Sequence, residues 1–211
     1  MSNPPNIAPA APILAGPPAA RRRPAVFLDR DGVIIENRAD YVRALADVAF
    51  LPGALEALAR LNRARPGWAI LIATNQSPVG RGLLALETVQ AINGYVLDHV
   101  RRAGGRIDQI YVCPHHPEAG CACRKPAPGM LLQGAAEWGV DLAASVFIGD
   151  AASDVQAGLA AGVRPLLVRT GLGEAQLAEL ARLRLRPQIF PDLAAAINFV
   201  LDGLPAHTNA P

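Results

Sequence analysis

The chain has 211 residues, 51% of them hydrophobic, which is enough for a sizeable buried core and matches one α/β domain. The formal net charge of +2 is too small to indicate a nucleic-acid partner. No apolar run is long enough to span a bilayer, and the basic triplet Arg21–Arg23 follows the apolar N-terminal residues instead of preceding them, unlike a secretory signal. We therefore expect a cytoplasmic monomer that binds neither membranes nor nucleic acid.

The chain divides by composition into a folded domain and two tails. Residues 1–23 are rich in Pro and Ala and show no periodicity, which predicts a disordered tail. We expect the folded domain to cover residues 24–204 and residues 205–211 to form a flexible C-terminus.

Short apolar runs alternate with amphipathic segments along the folded part. Strands are predicted, in chain order, over Ala25–Leu28, Ala69–Ala73, Ile107–Val112, Ser145–Ile148, Pro165–Val168 and Gln188–Phe190. Helices are predicted over Pro52–Ala64, Leu86–Arg102, Pro128–Trp138, Asp154–Ala161, Gln176–Leu183 and Leu193–Leu201. This alternation predicts an α/β fold with a Rossmann-like parallel sheet and helices on both faces. The intervals between strands leave no room for a separate cap domain, so the loop Glu36–Tyr41 and a cysteine-containing loop should shape the substrate entrance.

Polar residues interrupt the pattern at the carboxyl ends of the predicted strands. The four groups, in chain order, are Asp29-Arg30-Asp31-Gly32, Thr74-Asn75-Gln76-Ser77, Arg124-Lys125-Pro126, and Gly149-Asp150 with Asp154. Each group alone could be a solvated turn, a helix cap or an exposed loop. Because ligand sites of parallel sheets lie at the carboxyl ends of the strands, their joint occurrence in this order predicts one shared site.

These residue types suit phosphoryl transfer. One carboxylate of an Asp-x-Asp pair can attack phosphorus, and the other can donate a proton to the leaving oxygen and later accept one from water. Mg²⁺ prefers one or two carboxylates, water and a phosphate oxygen, and Asp150 supplies a further carboxylate. The Lys125 ammonium and the Thr74 hydroxyl can stabilise charge on the phosphoryl oxygens. The pattern therefore favours a Mg²⁺-dependent phosphatase.

All three cysteines occur in one short stretch, which argues against a disulfide framework and for a metal. Cys113, His115, Cys121 and Cys123 form the four-ligand set of a closed tetrahedral zinc site, with His116 as the alternative to His115. Such a zinc would be structural. It would hold the loop that delivers Arg124 and Lys125.

From Ala25 to Gly171 the motifs resemble those of the haloacid dehalogenase-like phosphatase superfamily. The resemblance implies that Asp29 is the nucleophile and Asp31 the general acid and base. It implies that Thr74 and Lys125 hold the transferring phosphoryl group. It also implies that Mg²⁺ is bound by the carboxylates of Asp29 and Asp150 and the backbone carbonyl of Asp31, with Asp154 nearby.

The cysteine loop and the stretch from Cys123 to Met130 resemble the D-glycero-D-manno-heptose 1,7-bisphosphate phosphatases, which remove the 7-phosphate. The related histidinol-phosphate phosphatases share the acidic pair, the zinc loop and the Arg-Lys pair, and remain the alternative. Departures are Pro78, where Gly is common, and Ala151, where Lys is frequent. The substrate-binding residues expected from this resemblance are Thr74, Asn75, Gln76, Ser77, Arg124 and Lys125, and the Arg124 fork could hold the non-reacting phosphate.

Two other functions are disfavoured. A non-catalytic phospho-acceptor module would need a long-lived phospho-aspartate and no adjacent proton shuttle, whereas Asp31 provides one. A nucleic-acid end-processing phosphatase would need a basic stripe with interleaved aromatic residues, which this chain lacks.

Overall fold

A computed structural model describes residues 22–203. The two predicted tails lie outside the described residues, except for Arg22 and Arg23. Arg23 forms a parallel bridge with Val140, one residue before the expected boundary of the folded domain at Pro24. Within the part that is described, no helix has the length and apolar character needed to cross a membrane.

The described residues contain one sheet of six parallel strands, in the order β3-β2-β1-β4-β5-β6. The strands are β1 Ala25–Leu28, β2 Ala69–Asn75, β3 Gln109–Cys113, β4 Val146–Gly149, β5 Arg164–Val168 and β6 Gln188–Phe190. The chain first builds outward from β1 to β3 and then returns to place β4 on the other side of β1. A crevice at such a reversal of strand order is where parallel sheets bind ligands.

The helices cover both faces of the sheet, as predicted. They are α1 Ala54–Ala64, α2 Ser77–Gly80, α3 Leu86–Arg102, α4 Gly129–Trp138, α5 Ala152–Ala161, α6 Gly173–Arg182 and α7 Leu193–Leu201, with 3₁₀ turns at Leu45–Asp47 and Pro117–Ala119. Successive strand residues point to opposite faces, so Val26 and Leu28 of β1 pack with α1, α3 and α7, whereas Phe27 packs against α4 and α5. Both faces of the sheet are therefore buried, which explains why the strand sequences are continuous apolar runs.

The segment between β1 and β2 contains no inserted domain among the described residues. Ile35 forms isolated bridges with Asp31 and Phe50, and a 3₁₀ turn and α1 complete the connection. The entrance to the carboxyl end of the sheet is therefore bordered by loops, in agreement with the absence of a cap domain expected from the sequence.

Two departures from the predicted elements lie at the end of β2 and directly after it. The strand β2 continues through Thr74 and Asn75, which were expected to follow it, because Asn75 pairs with Cys113 in the parallel ladder. The short helix α2 was not predicted. Pairing with a neighbouring strand decides where β2 ends, and it places the start of the cysteine loop directly beside Asn75.

Candidate active site

A buried lysine joins two of the predicted acidic residues. Asp29 directly follows β1, and its Oδ2 atom lies 2.9 Å from Nζ of Lys125, which lies 2.7 Å from Oδ1 of Asp154. Lys125 is 4% exposed and Asp154 is 2% exposed. Burial lowers the pKa of Lys125, but the attraction of Asp154 and Asp29 more than offsets this and raises it, so the ammonium stays charged. Lys125 is also the chain's single lysine, among 19 arginines.

Asp154 is held from both sides. Its Oδ2 atom accepts hydrogen bonds from the backbone amides of Asp150 and Ala151 at 3.1 and 3.0 Å. These contacts begin α5 at Ala152, two residues before the predicted start. Because its other oxygen pairs with Lys125, Asp154 positions the lysine and the residues after β4.

Asp150 occupies a tight space made by two glycines. Its Oδ2 atom accepts a hydrogen bond from the backbone amide of Leu172 at 2.8 Å. A Cβ atom on Gly32 or on Gly171 would come within 2.0 or 2.1 Å of the same oxygen, and both glycines have positive φ. The turn after β1 and the loop after β5 therefore approach the carboxylate more closely than any side-chain-bearing residue would allow.

Asp31, the second member of the acidic pair, is held by an arginine and a glutamine. Nη2 of Arg30 lies 3.1 and 3.0 Å from the two carboxylate oxygens, and Nε lies 3.2 Å from Oδ2. Nε2 of Gln76 donates to Asp31 Oδ2 at 2.8 Å and to the Thr74 hydroxyl at 2.9 Å. Gln76 therefore connects the residues expected to transfer protons and to hold the phosphoryl group.

Both polar atoms of the Asn75 side-chain amide form hydrogen bonds with the backbone of Lys125. Its Oδ1 atom accepts from the Lys125 amide at 3.1 Å, and its Nδ2 atom donates to the Lys125 carbonyl at 3.1 Å. The contact gives Asn75 a positioning task. Its expected contact with substrate remains a prediction.

The charges of the site leave room for a divalent cation. The carboxylates of Asp29, Asp150 and Asp154 come within 4.8 Å of one another. Burial raises the pKa of Asp29 to about 7, with Asp154 and Asp31 acting the same way and Lys125 opposing them, and burial raises that of Asp150 to about 8. When all four carboxylates of Asp29, Asp31, Asp150 and Asp154 are ionised, they outnumber the cationic side chains of Arg30 and Lys125 by two negative charges. Oxygen ligands and this charge fit Mg²⁺.

A cavity of about 170 Å³ opens between these residues. Eight residues of the predicted site line it: Asp29, Asp31, Thr74, Asn75, Gln76, Lys125, Asp150 and Asp154. Ser77, in α2, and Arg124 are not among the lining residues, and Nη1 of Arg124 is buried without a hydrogen-bond partner among the described residues. Their contact with substrate stays a prediction.

Other lining residues were given no catalytic, substrate-binding or metal-binding role from the sequence. Arg30, Asn37, Tyr41, Ser153 and Leu172 contribute to the cavity wall. Asn37 and Tyr41 belong to the loop expected at the entrance, and Tyr41 has φ 67°, which is unfavourable for a side-chain-bearing residue. Arg30 stands inside the Asp-x-Asp motif, where its neighbours could have drawn attention to it. Ser153 and Leu172 carry no local signal.

The cysteine loop brings together, beside the site, four side chains that could hold a metal ion. The Sγ atoms of Cys113, Cys121 and Cys123 lie 3.3 to 3.6 Å apart, and Nδ1 of His115 lies 3.2 Å from Sγ of Cys123. These separations are those of ligands around one tetrahedral ion. Nδ1 of His116 instead accepts from the Glu118 amide at 3.3 Å, so of the two histidines it is His115 that contacts the cysteines.

Known proteins resemble this chain over most of its length. The profile of the HAD-hydrolase-like family matches residues 122–196. A Pseudomonas aeruginosa D-glycero-β-D-manno-heptose-1,7-bisphosphate 7-phosphatase is 41% identical over 179 residues, which covers 85% of this chain and 98% of that protein.

Solved structures agree. The D,D-heptose 1,7-bisphosphate phosphatase of B. bronchiseptica, crystallised with magnesium and phosphate, has a TM-score of 0.80 and 39% identity, covering 86% of this chain and 99% of that one. The enzyme from Burkholderia thailandensis has a TM-score of 0.65 and 35% identity, covering 85% and 99%.

Proposed function

Because this chain belongs to the HAD-like hydrolases, and among them to the family of the D-glycero-β-D-manno-heptose-1,7-bisphosphate 7-phosphatases, we propose that it removes the 7-phosphate from D-glycero-β-D-manno-heptose 1,7-bisphosphate. The names of its relatives support the β anomer, which the motifs alone leave open. The observation that carries the proposal is the placement of Asp29 in the cavity wall, with Lys125 on one side and Asp150 close by.

The reaction runs in two steps. A carboxylate oxygen of Asp29 attacks phosphorus, the bond to the 7-oxygen breaks, and protonated Asp31 gives its proton to the departing alkoxide. The resulting aspartyl phosphate is then attacked at phosphorus by water, which loses a proton to Asp31, and inorganic phosphate leaves. Asp29 and Asp31 both line the cavity, so one bound phosphoryl group can meet both carboxylates.

The residues around the acidic pair stabilise charge on the phosphoryl group. Lys125 presents an ammonium that burial keeps free of competing water, and the Thr74 hydroxyl lines the same cavity. Mg²⁺, when bound, would neutralise the phosphate beside the carboxylates. We assign its ligands to the carboxylates of Asp29 and Asp150 and the backbone carbonyl of Asp31. The short separations between their ligand atoms support a structural zinc on Cys113, His115, Cys121 and Cys123.

Arg124 is the residue we propose for the second phosphate of the substrate. It directly follows Cys123, and its buried Nη1 atom has no hydrogen-bond partner within residues 22–203. A guanidinium fork binds phosphate through two parallel hydrogen bonds.

Three thiols that stay reduced enough to bind zinc are typical of a cytoplasmic protein, and we propose that this monomer acts there on a small metabolite.

The test is phosphate release measured with purified protein and Mg²⁺. We expect the Asp29→Asn variant to lose about three orders of magnitude or more in kcat, because the amide is a poor nucleophile. It should keep the fold, checked by circular dichroism. Wild-type-like activity in a contaminant-free preparation of this variant would overturn the mechanism.

The substrate is tested by comparing kcat/KM for four esters: the α and β anomers of heptose 1,7-bisphosphate, histidinol phosphate and glucose 6-phosphate. We expect the β anomer to be preferred. A preference for histidinol phosphate would overturn the substrate and leave the reaction type unchanged.

A further inference from the structure

Arg30 is the largest fully buried side chain among the described residues, and the proposed mechanism gives it no task. It is 1% exposed, and a buried guanidinium is costly unless its donors are paired. One edge of the guanidinium faces Asp31, and Nη1 donates to Oδ1 of Asn93 at 2.8 Å. This buried group therefore links the end of β1 to α3, a helix outside the cavity wall.

We propose that Arg30 and Asn93 form a positioning pair that holds the carboxylate of Asp31 in place for proton transfer. The inference rests on the proposed function, in which Asp31 protonates the leaving oxygen. Arg30 orients the carboxylate directly, and Asn93 orients Arg30.

The contacts restrict Asp31 in a specific way. The guanidinium touches both carboxylate oxygens, so it controls the rotation of the carboxyl plane and not only its position. Gln76 adds a third hydrogen bond to Oδ2. The Asp31 side chain keeps 21% exposure, so the acid remains open to the cavity while it is held. Proton transfer depends strongly on the distance and alignment of donor and acceptor, so a loose carboxylate should transfer poorly.

Asn93 makes this role testable, because it is remote from the chemistry. It lies 63 residues from Arg30 in the chain, is 7% exposed, and lines a groove between α3 and β3 instead of the catalytic cavity. A change at Asn93 can reach Asp31 through the Arg30 guanidinium. Removing the acceptor oxygen of Asn93 would leave Nη1 unpaired and free the guanidinium to turn.

The experiment compares leaving groups in single-turnover formation of the phospho-enzyme. The 7-alkoxide of the heptose bisphosphate needs a proton to depart, whereas p-nitrophenolate leaves without one. We expect Asn93→Leu to slow the heptose reaction by about tenfold or more and the nitrophenyl reaction by less than about threefold, since general acid catalysis contributes 10²–10⁴-fold. A purely structural role would slow both reactions equally.

Three further variants complete the test. Asn93→Asp keeps an acceptor oxygen for Nη1 and should restore the ratio of the two rates to near the wild-type value. Gln90→Leu makes the same exchange of amide for Leu on the exposed surface of α3 and should leave the ratio unchanged. In an Asp31→Asn background, Asn93→Leu should add no further change, because the group it positions is already gone.

The positioning role would be overturned if Asn93→Leu slowed both esters equally. It would also be overturned if Asn93→Leu slowed the reaction further in the Asp31→Asn background. Failure of the proposed function is distinguishable. In that case wild type itself forms no phospho-enzyme, or Asp31→Asn shows no greater loss with the alkyl than with the aryl ester.

Discussion

Nζ of Lys125 lies 2.9 Å from Oδ2 of Asp29, although 96 positions separate the two residues in the sequence. Their contact is fixed by the amide of Asn75, which bonds both backbone groups of Lys125, and by Asp154, which pairs with the same ammonium. The lysine is therefore held by three elements before any substrate binds. Such preorganised charge needs no rearrangement when charge develops in the transition state.

Lys125→Arg should inactivate the enzyme despite conserving charge. The chain uses arginine at 19 of its 20 basic positions, which points to a requirement for lysine here. A planar guanidinium is larger than the compact ammonium that fits between Asp29 and Asp154 near the Phe147 ring. We expect kcat to fall about 10²- to 10³-fold, measured by phosphate release. Arg102→Lys, on the exposed end of α3, serves as the control and should be silent. Near-normal activity of Lys125→Arg would show that only the charge matters.

Gly171→Ala should weaken Mg²⁺ binding. The added Cβ would lie 2.1 Å from Oδ2 of Asp150, which must move. Gly139→Ala is a matched control, since Gly139 has φ 59° against 60° for Gly171 but has open space around its Cβ position. Both variants should lose about 1 kcal/mol to the left-handed backbone. Gly171→Ala should lose more stability than the control, because its Cβ would also lie 2.4 Å from the backbone Cα of Gly32.

Only Gly171→Ala should raise the Mg²⁺ concentration for half-maximal activity, by about tenfold or more. Equal Mg²⁺ dependence in the two alanine variants would argue against Asp150 as a ligand.

Metal content distinguishes the two adjacent histidines. His115→Ala should lose zinc and lower the melting temperature by about 5 °C or more, because the cluster ties down the loop before Lys125. His116→Ala should retain about one zinc per chain, measured by inductively coupled plasma mass spectrometry. Zinc loss in His116→Ala with retention in His115→Ala would reverse the assignment.

The metal-free protein should become less stable as pH rises. Asp29 and Asp150 have pKa values raised to about 7 and about 8 from 3.8, so the folded chain holds protons that the unfolded chain has already released. The free energy of unfolding therefore falls between about pH 4 and pH 8, which urea denaturation at several pH values would measure.

Saturating Mg²⁺ should flatten this dependence, because bound cation keeps both carboxylates ionised. Mg²⁺ affinity should rise with pH over the same interval, with proton release detectable by calorimetry in buffers of different ionisation enthalpy. Asp29→Asn should reduce the slope of stability against pH. A free energy of unfolding that rises with pH in the metal-free protein would contradict the raised pKa values.

The sequence was informative wherever the signal is local. Runs such as Ala25–Leu28 predicted the parallel sheet, because strands buried on both faces need continuous apolar residues. The acidic pair and the cysteine spacing predicted the chemistry, because ligands and nucleophiles are identified by residue type. Boundaries were less accurate. The end of β2 at Asn75 depends on pairing with Cys113, which no property of residues 69–75 encodes.

The amino-acid sequence alone determined the α/β architecture, and it predicted the residues for phosphoryl transfer and a metal set of three cysteines and one of two adjacent histidines, since these follow from periodicity and residue chemistry. Only the tertiary structure decided that Asn93 accepts a hydrogen bond from Arg30 and that Gly171 lies close to the carboxylate of Asp150. It also decided that His115 contacts Cys123, whereas His116 contacts Glu118. Such contacts join residues on separate elements, and their geometry is set by how helices and loops pack on the sheet.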